Sequence, residues 1–225
     1  MIEEATDALR GGRFVLVHDD KGREDEVDMV VAAEHIRPQH VAVMRNDAGG
    51  LLCLAIANEI TVKLGLVYMH DIIQSLSNIN PIFSKLTEGK SPYGDKPSFS
   101  ITVNHRNTYT GITDTDRALT ISKMADVCRK INYGGVEEFA RDFRAPGHVQ
   151  ILIASKGLIY ERRGHTELCV YLMQLAGLIP AVAICEMLDS TTHRALSINK
   201  ARKYANKSGI PLLEASQLNA HAKVA

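Results

Sequence analysis

Phe14-Val15-Leu16-Val17-His18-Asp19-Asp20-Lys21-Gly22-Arg23-Glu24-Asp25-Glu26-Val27-Asp28-Met29-Val30-Val31-Ala32-Ala33 is the stretch that decides the fold. Two short apolar runs, residues 14–17 and 29–33, flank a polar loop over 18–28. Apolar runs of that length, bounded by turn residues and rich in valine, predict buried strands. The loop between them has no room for a crossover helix, so these strands do not form a βαβ unit.

Working outward, Ile2, Ala5 and Leu9 fall on a helical period, and Gly11-Gly12 ends that helix. Pro38 opens a helix running to about residue 47, and Gly49-Gly50 releases it into a strand over 51–56. Residues 76–97 carry three prolines with Asn, Ser and Gly and no periodicity, which predicts a long surface excursion or lid. Further strands are expected over 99–103, 149–154, 158–160 and 181–186, and helices over 116–131, 136–143, 166–176 and 197–206. Several connections are too short for crossovers. The reading is therefore α+β: a single domain over 1–225, with a mixed β-sheet flanked by helices.

Composition narrows the function. With 26 basic and 26 acidic residues the formal charge is zero, so no long-range field draws nucleic acid or an anionic membrane. The longest apolar runs, 51–57 and 178–185, are far too short to span a bilayer. The acidic start lacks the basic-then-apolar plan of a signal peptide. Cys53, Cys128, Cys169 and Cys185 are widely spaced with no CxxC pair and read as reduced thiols, so a cytoplasmic protein is expected.

Five segments carry chemistry. Six of the 26 acidic residues fall within positions 19–28. Hard divalent cations take carboxylate oxygens, and Arg23 beside them supplies a planar fork for a phosphate or carboxylate. A solvated charged loop is the plainer alternative. The second segment, Glu161-Arg162-Arg163-Gly164-His165-Thr166-Glu167, combines arginines, a glycine and a hydroxyl at a helix start, the parts of an anion site. There too a bland reading stays open: Thr166 caps the helix and the arginines face solvent. In Arg144-Ala145-Pro146-Gly147-His148 a Pro-Gly turn holds an imidazole just ahead of a buried strand, as a general acid or base needs. Glu186 closes the strand over 181–186, where a carboxylate must be paired, metal-bound, protonated or able to reach solvent. In residues 109–120, Thr113 or Thr115 can cap the next helix, with Asp114 and Asp116 suiting its positive end; Arg117 and the spare hydroxyls leave room for a polyol phosphate.

Taken in order, these segments resemble the 3,4-dihydroxy-2-butanone 4-phosphate synthase family. The resemblance rests on Asp19-Asp20 with Arg23-Glu24-Asp25-Glu26-Val27-Asp28, Thr110-Gly111-Ile112-Thr113 with Asp116-Arg117-Ala118, Pro146-Gly147-His148, Arg163-Gly164-His165-Thr166-Glu167, Ala176-Gly177-Leu178-Ile179-Pro180 and Cys185-Glu186. It implies a riboflavin-biosynthesis lyase that turns D-ribulose 5-phosphate into L-3,4-dihydroxy-2-butanone 4-phosphate and formate, through an enediolate, dehydration and skeletal rearrangement. Carried over by position, it implies Glu24 and His165 as ligands of magnesium, with manganese as an alternative ion. Arg23, Glu24, Asp28, Arg162, Arg163, Gly164, His165, Thr166 and Glu186 would hold the substrate, and His148 and Glu186 would be the catalytic acid/base pair. A homodimer is implied as well. Three departures from the family pattern stand out: Val27 where glycine is common, Tyr171 where Asp is common, and Ser190-Thr191-Thr192-His193-Arg194 in place of a glycine-bearing turn. A fused GTP cyclohydrolase activity is not expected, because the chain has no zinc-type cysteine cluster. The competing readings are another metal-dependent sugar-phosphate enzyme, an isomerase or aldolase, and a binding module without turnover.

Overall fold

The computed structural model describes residues 1–89 and 91–223. Helix α1 (Ile2–Arg10) buries Ala5, Ala8 and Leu9 and ends at Gly12, whose φ of 67° suits glycine. Strands β1 (Val15–His18) and β2 (Val27–Ala32) follow as an antiparallel pair. Pro38 sits at the start of α2 (Pro38–Val43), which continues as a π-turn to Ala48 before β3 (Cys53–Ile56). Short helices α3 (Asn58–Lys63), α4 (Met69–Ser75) and α5 (Ile82–Leu86) lead to β4 (Phe99–His105). Then come α6 (Asp114–Arg129), α7 (Gly135–Asp142), β5 (Phe143–Ile153), α8 (His165–Leu175) and β6 (Ala181–Glu186). A small hairpin of β7 (Leu188–Asp189) and β8 (Arg194–Ala195), then α9 (Ile198–Ser208), β9 (Leu212–Glu214) and α10 (Ala215–Ala222) complete the described chain.

Seven strands form one mixed sheet in the order β4-β5-β3-β6-β2-β1-β9, with β3–β5 and β1–β9 parallel and the other pairs antiparallel. Both faces are covered, so the central strands are apolar on both sides rather than alternating. One face packs Leu16, Met29, Leu54, Ile56 and Ile151 with residues of α2, α6 and α9. The other packs Val15, Val30, Ala55 and Val182 with α1, α8 and α10. The expected α+β architecture with a mixed, helix-flanked sheet is what the chain adopts.

Several local expectations need correction. Residues 158–160 form a single 3-10 turn rather than a strand, because β5 already has β3 and β4 on its two sides and Leu158 takes a φ of 46°. Pro146-Gly147 is not a turn ahead of a strand. It is a bulge within the long β5, whose pairing with β4 jumps from Val103↔Val149 to Asn104↔Arg144. Val27 opens β2 and is fully buried, so it belongs to the sheet rather than to the loop before it. In the excursion over 76–97, of which Lys90 lies outside the described residues, α5 forms one helical turn and residues 91–97 contain no buried residue. Tyr171 is buried on α8, with its hydroxyl 3.3 Å from His221 Nδ1, and residues 190–193 make the turn of the β7–β8 hairpin.

Candidate active site

The β1–β2 loop is folded by Asp19. Its fully buried carboxylate accepts the backbone N–H groups of Glu24 and Glu26 at 3.1 Å each and pairs with Arg23 Nη1 at 3.2 Å. The loop thereby curls toward the N-terminus of α8 and presents Arg23, Glu24 and Glu26 there. Across the β2–β6 ladder, Asp28 stands directly opposite Glu186. These groups, with Arg162, His165, Thr166, Tyr93, Phe99 and Ile184, line a cavity of about 350 Å³ on the α8 side of the sheet.

His165 is its centre. The imidazole is buried, with Nδ1 3.3 Å from Glu24 Oε2, Nε2 3.2 Å from the Glu26 carbonyl and 3.8 Å from Asp28 Oδ1. Burial opposes its protonation, but the carboxylates of Asp28, Glu24 and Asp19 outweigh that and raise it to about 9. Burial would also raise Glu24, yet the hydrogen bond to His165 and the Arg23 charge hold it down at about 2. Asp28 is the opposite case. It is buried with no hydrogen-bond partner at Oδ1 among the described residues, and burial pushes it up to about 7.

The donor set fits a hard divalent cation. Ligand atoms of Asp19, Glu24 and His165 lie within 4.8 Å of one another, and Asp28 leaves a buried oxygen unsatisfied beside them. Within that trio Asp19 is already committed to the loop backbone and to Arg23, whereas Glu24 and His165 face the cavity. A cation there would take the place of the imidazole proton, releasing it on binding.

Beside these ligands lies an anion cradle. Arg162 is held by a 2.5 Å contact to Glu167, a buried carboxylate that also accepts the Ser155 N–H at 3.0 Å. Gly164, at the start of α8, is the point over which two guanidiniums converge: a Cβ there would lie 2.5 Å from Arg162 Nη1 and 2.8 Å from Arg23 Nη2. Thr166 makes no capping bond, contrary to the bland alternative, and lines the cavity in the first turn of the helix. Among the residues expected here, Arg163 is exposed and stands outside the cavity lining.

Glu186 Oε2 accepts the Leu51 N–H at 2.7 Å, so its carboxylate is paired by backbone rather than left free. His148 is exposed and does not line this cavity. Beyond β3 the next pairing on the β6 side is Gly49↔Met187, one residue out of step with Cys53↔Ile184, so Gly50 rather than Leu51 faces Glu186 and its N–H donates to the Glu186 carbonyl at 3.0 Å. In the sheet β3 lies between β5, which carries His148, and β6, which ends in Glu186. Asn104 fixes His148, its Oδ1 accepting the backbone N–H of that residue at 2.8 Å and its Nδ2 lying 3.0 Å from the ring Nδ1. Donation from the amide to Nδ1 leaves the neutral ring's proton on Nε2, the nitrogen that points away from Asn104. The segment over 109–120 is consumed by structure: Thr113 caps α6, Asp116 accepts the Gly111 N–H at 2.8 Å, and Arg117 pairs with Asp114 at 3.1 Å.

No sequence motif marks Asn104, Tyr93 or Asp95. Asn104 lies in a strand, and the other two lie in the segment read as an excursion. Glu26 lies within the acidic motif of positions 19–28 with nothing in its neighbours to set it apart.

A buried carboxylate–imidazole cluster beside a two-arginine cradle, on one face of a mixed sheet, defines a candidate metal-dependent site for a phosphorylated small molecule. The 3,4-dihydroxy-2-butanone 4-phosphate synthase family profile matches residues 3–221, and the chain belongs to that family. The 3,4-dihydroxy-2-butanone 4-phosphate synthase of Methanothermobacter thermautotrophicus is 48% identical over 218 residues, spanning 97% of this chain and 94% of the relative. That of Archaeoglobus fulgidus is 46% identical over 220 residues, spanning 97% and 92%. A crystal structure of 3,4-dihydroxy-2-butanone 4-phosphate synthase in complex with two magnesium ions matches with a TM-score of 0.77 at 29% identity, covering 99% of this chain and 96% of that one.

Proposed function

We propose that this chain, acting as one catalytic domain, is a magnesium-dependent lyase of riboflavin biosynthesis that converts D-ribulose 5-phosphate to L-3,4-dihydroxy-2-butanone 4-phosphate and formate. One observation carries the reading: Glu24 and His165, 141 positions apart, meet at 3.3 Å in a cavity that also holds Arg23, Arg162 and Glu186. Bound by Glu24 and His165, magnesium would supply Lewis acidity toward the ketone and an adjacent hydroxyl. Manganese, another hard divalent ion, is the expected substitute.

The chain's own groups divide the remaining work. Arg23, Arg162, Gly164 and Thr166 receive the phosphate at the positive end of α8. Asp28, raised toward neutrality, can donate a hydrogen bond to a sugar hydroxyl when protonated. Glu186, oriented by the Leu51 N–H, and His148, oriented by Asn104, exchange protons with the substrate carbons and hydroxyls. Overall the atoms balance: the water lost on dehydration is regained when the excised carbon leaves as formate.

The reading includes a homodimer. Leu51, Leu188, Tyr109 and Ile112 are exposed apolar side chains, the kind of surface a second copy of the chain would cover. It also puts the enzyme in the cytoplasm. Four buried free thiols support that, and no helix among the described residues is long and apolar enough to cross a membrane. Incubation with ribulose 5-phosphate and magnesium, followed by NMR, tests the proposal: formate and the four-carbon phosphate should appear in equal amounts. Isomerised pentose phosphate without formate would favour the isomerase reading instead.

A further inference from the structure

The arginine cradle has an occupant supplied by the protein itself. Arg23 Nε donates to Asp95 Oδ2 at 3.1 Å, and Arg162 Nε lies 3.5 Å from the same oxygen. Arg23 is held from the other side by Asp19 and Glu24, and its side chain is only 10% exposed. Its Nη2, aimed at Gly164, is buried with no hydrogen-bond partner among the described residues, and neither has Arg162 Nε one of normal length. One carboxylate thus satisfies two guanidiniums incompletely, leaving N–H groups that a tetrahedral dianion with more oxygens would fill.

Asp95 is also free to leave. Its side chain is 34% exposed, and residues 91–97 contain no buried residue whose withdrawal would open the core. Tyr93, with its ring 4.8 Å from the Arg23 guanidinium, and Pro97 hold this segment against the cavity.

We propose that Asp95 is a specificity-determining residue: its carboxylate fills the Arg23–Arg162 cradle until a phosphate displaces it. An unphosphorylated sugar has no charge with which to do so, and leaves the Asp95 carboxylate on the two arginines. The inference rests on the reading that these arginines receive the substrate phosphate. An internal competitor lowers apparent affinity by the fraction of molecules in which it is bound. Two partly exposed charge-assisted contacts set that factor at about threefold to tenfold.

The test is calorimetric titration of the full chain with inorganic phosphate, without magnesium, in wild type, Asp95→Asn, Asp95→Ala and Arg162→Gln. Both Asp95 variants should bind phosphate about threefold to tenfold more tightly, and Arg162→Gln should bind it more weakly. Unchanged or weakened phosphate binding in the Asp95 variants, with Arg162→Gln still weakened, overturns the role of Asp95 and leaves the phosphate clamp standing. Unchanged binding in Arg162→Gln overturns the clamp, and the Asp95 proposal with it.

Discussion

Replacing Gly164 with alanine tests the cradle through a single methyl group. The backbone there, φ −85° and ψ 167°, is open to any residue, so alanine meets no conformational barrier. What it meets is two guanidiniums. Ordinary contact begins near 3.4 Å, so from 2.5 and 2.8 Å Arg162 Nη1 must retreat by about 0.9 Å and Arg23 Nη2 by about 0.6 Å. A hydrogen bond to a charged partner contributes about 1.5–3 kcal/mol, and such displacements forfeit roughly half of each. Together they remove about 1.5–3 kcal/mol of phosphate binding, an affinity loss of about tenfold to 150-fold. Because Arg162 is tied to buried Glu167, some strain reaches the fold, at roughly 1–2 kcal/mol, or about 2–8 °C in Tm for a chain of this size. Calorimetry with inorganic phosphate and a thermal melt separate the two effects. If the melt stays within that range and phosphate affinity is unchanged, the guanidiniums are not the phosphate ligands and the reasoning fails.

Three further outcomes are expected. Glu186→Gln keeps the acceptor for the Leu51 N–H while removing the titrating proton, and His148→Ser removes an exposed ring; each should retain substrate binding by calorimetry and lose about a hundredfold or more in formate release. Near-normal release from both would end their acid/base assignment. EDTA should abolish turnover and excess magnesium restore it, since two protein ligands with water completing the shell bind reversibly; activity surviving exhaustive chelation would remove the metal from the chemistry. The Gly111 N–H, with help from Tyr109, holds the Asp116 carboxyl below the usual carboxylate range. A lowered folded-state value means the stabilisation is complete above the unfolded value of about 3.9 and fades as pH falls through the lower one. Urea unfolding should therefore show wild type more stable than Asp116→Asn at pH 7, with the gap closing in acid; a gap independent of pH would mean the carboxylate charge is not what stabilises that turn.

The strands of the core were legible because their signal is local. Runs such as Met29-Val30-Val31 and Ala181-Val182-Ala183-Ile184 can satisfy their apolar side chains only by burial on both faces, and their spacing left no room for crossover helices. β9 has only three residues, too few to show a strand pattern. The sequence of α10, ASQLNAHA, carries little apolar periodicity. Residues 158–160 have strand-forming side chains, but a strand needs a vacant neighbour. Whether β5 had one was decided by β3 and β4, which come from distant parts of the chain.

The site divides along the same line. By itself the sequence determined which chemistry was available: carboxylates packed into ten positions, arginines and a glycine ahead of a helix, and an acid at the end of an apolar strand. Each is a property of neighbouring residues. Only the tertiary structure decided which of these groups meet. His165 meets Glu24 across 141 positions because Asp19 curls the β1–β2 loop onto the start of α8. Glu186 faces Asp28 because β6 pairs with β2 in that register, and Asp95 enters the cradle from a segment with no motif at all. Distances between groups far apart in sequence are fixed by strand register and helix packing, and those depend on the whole core rather than on any stretch of it.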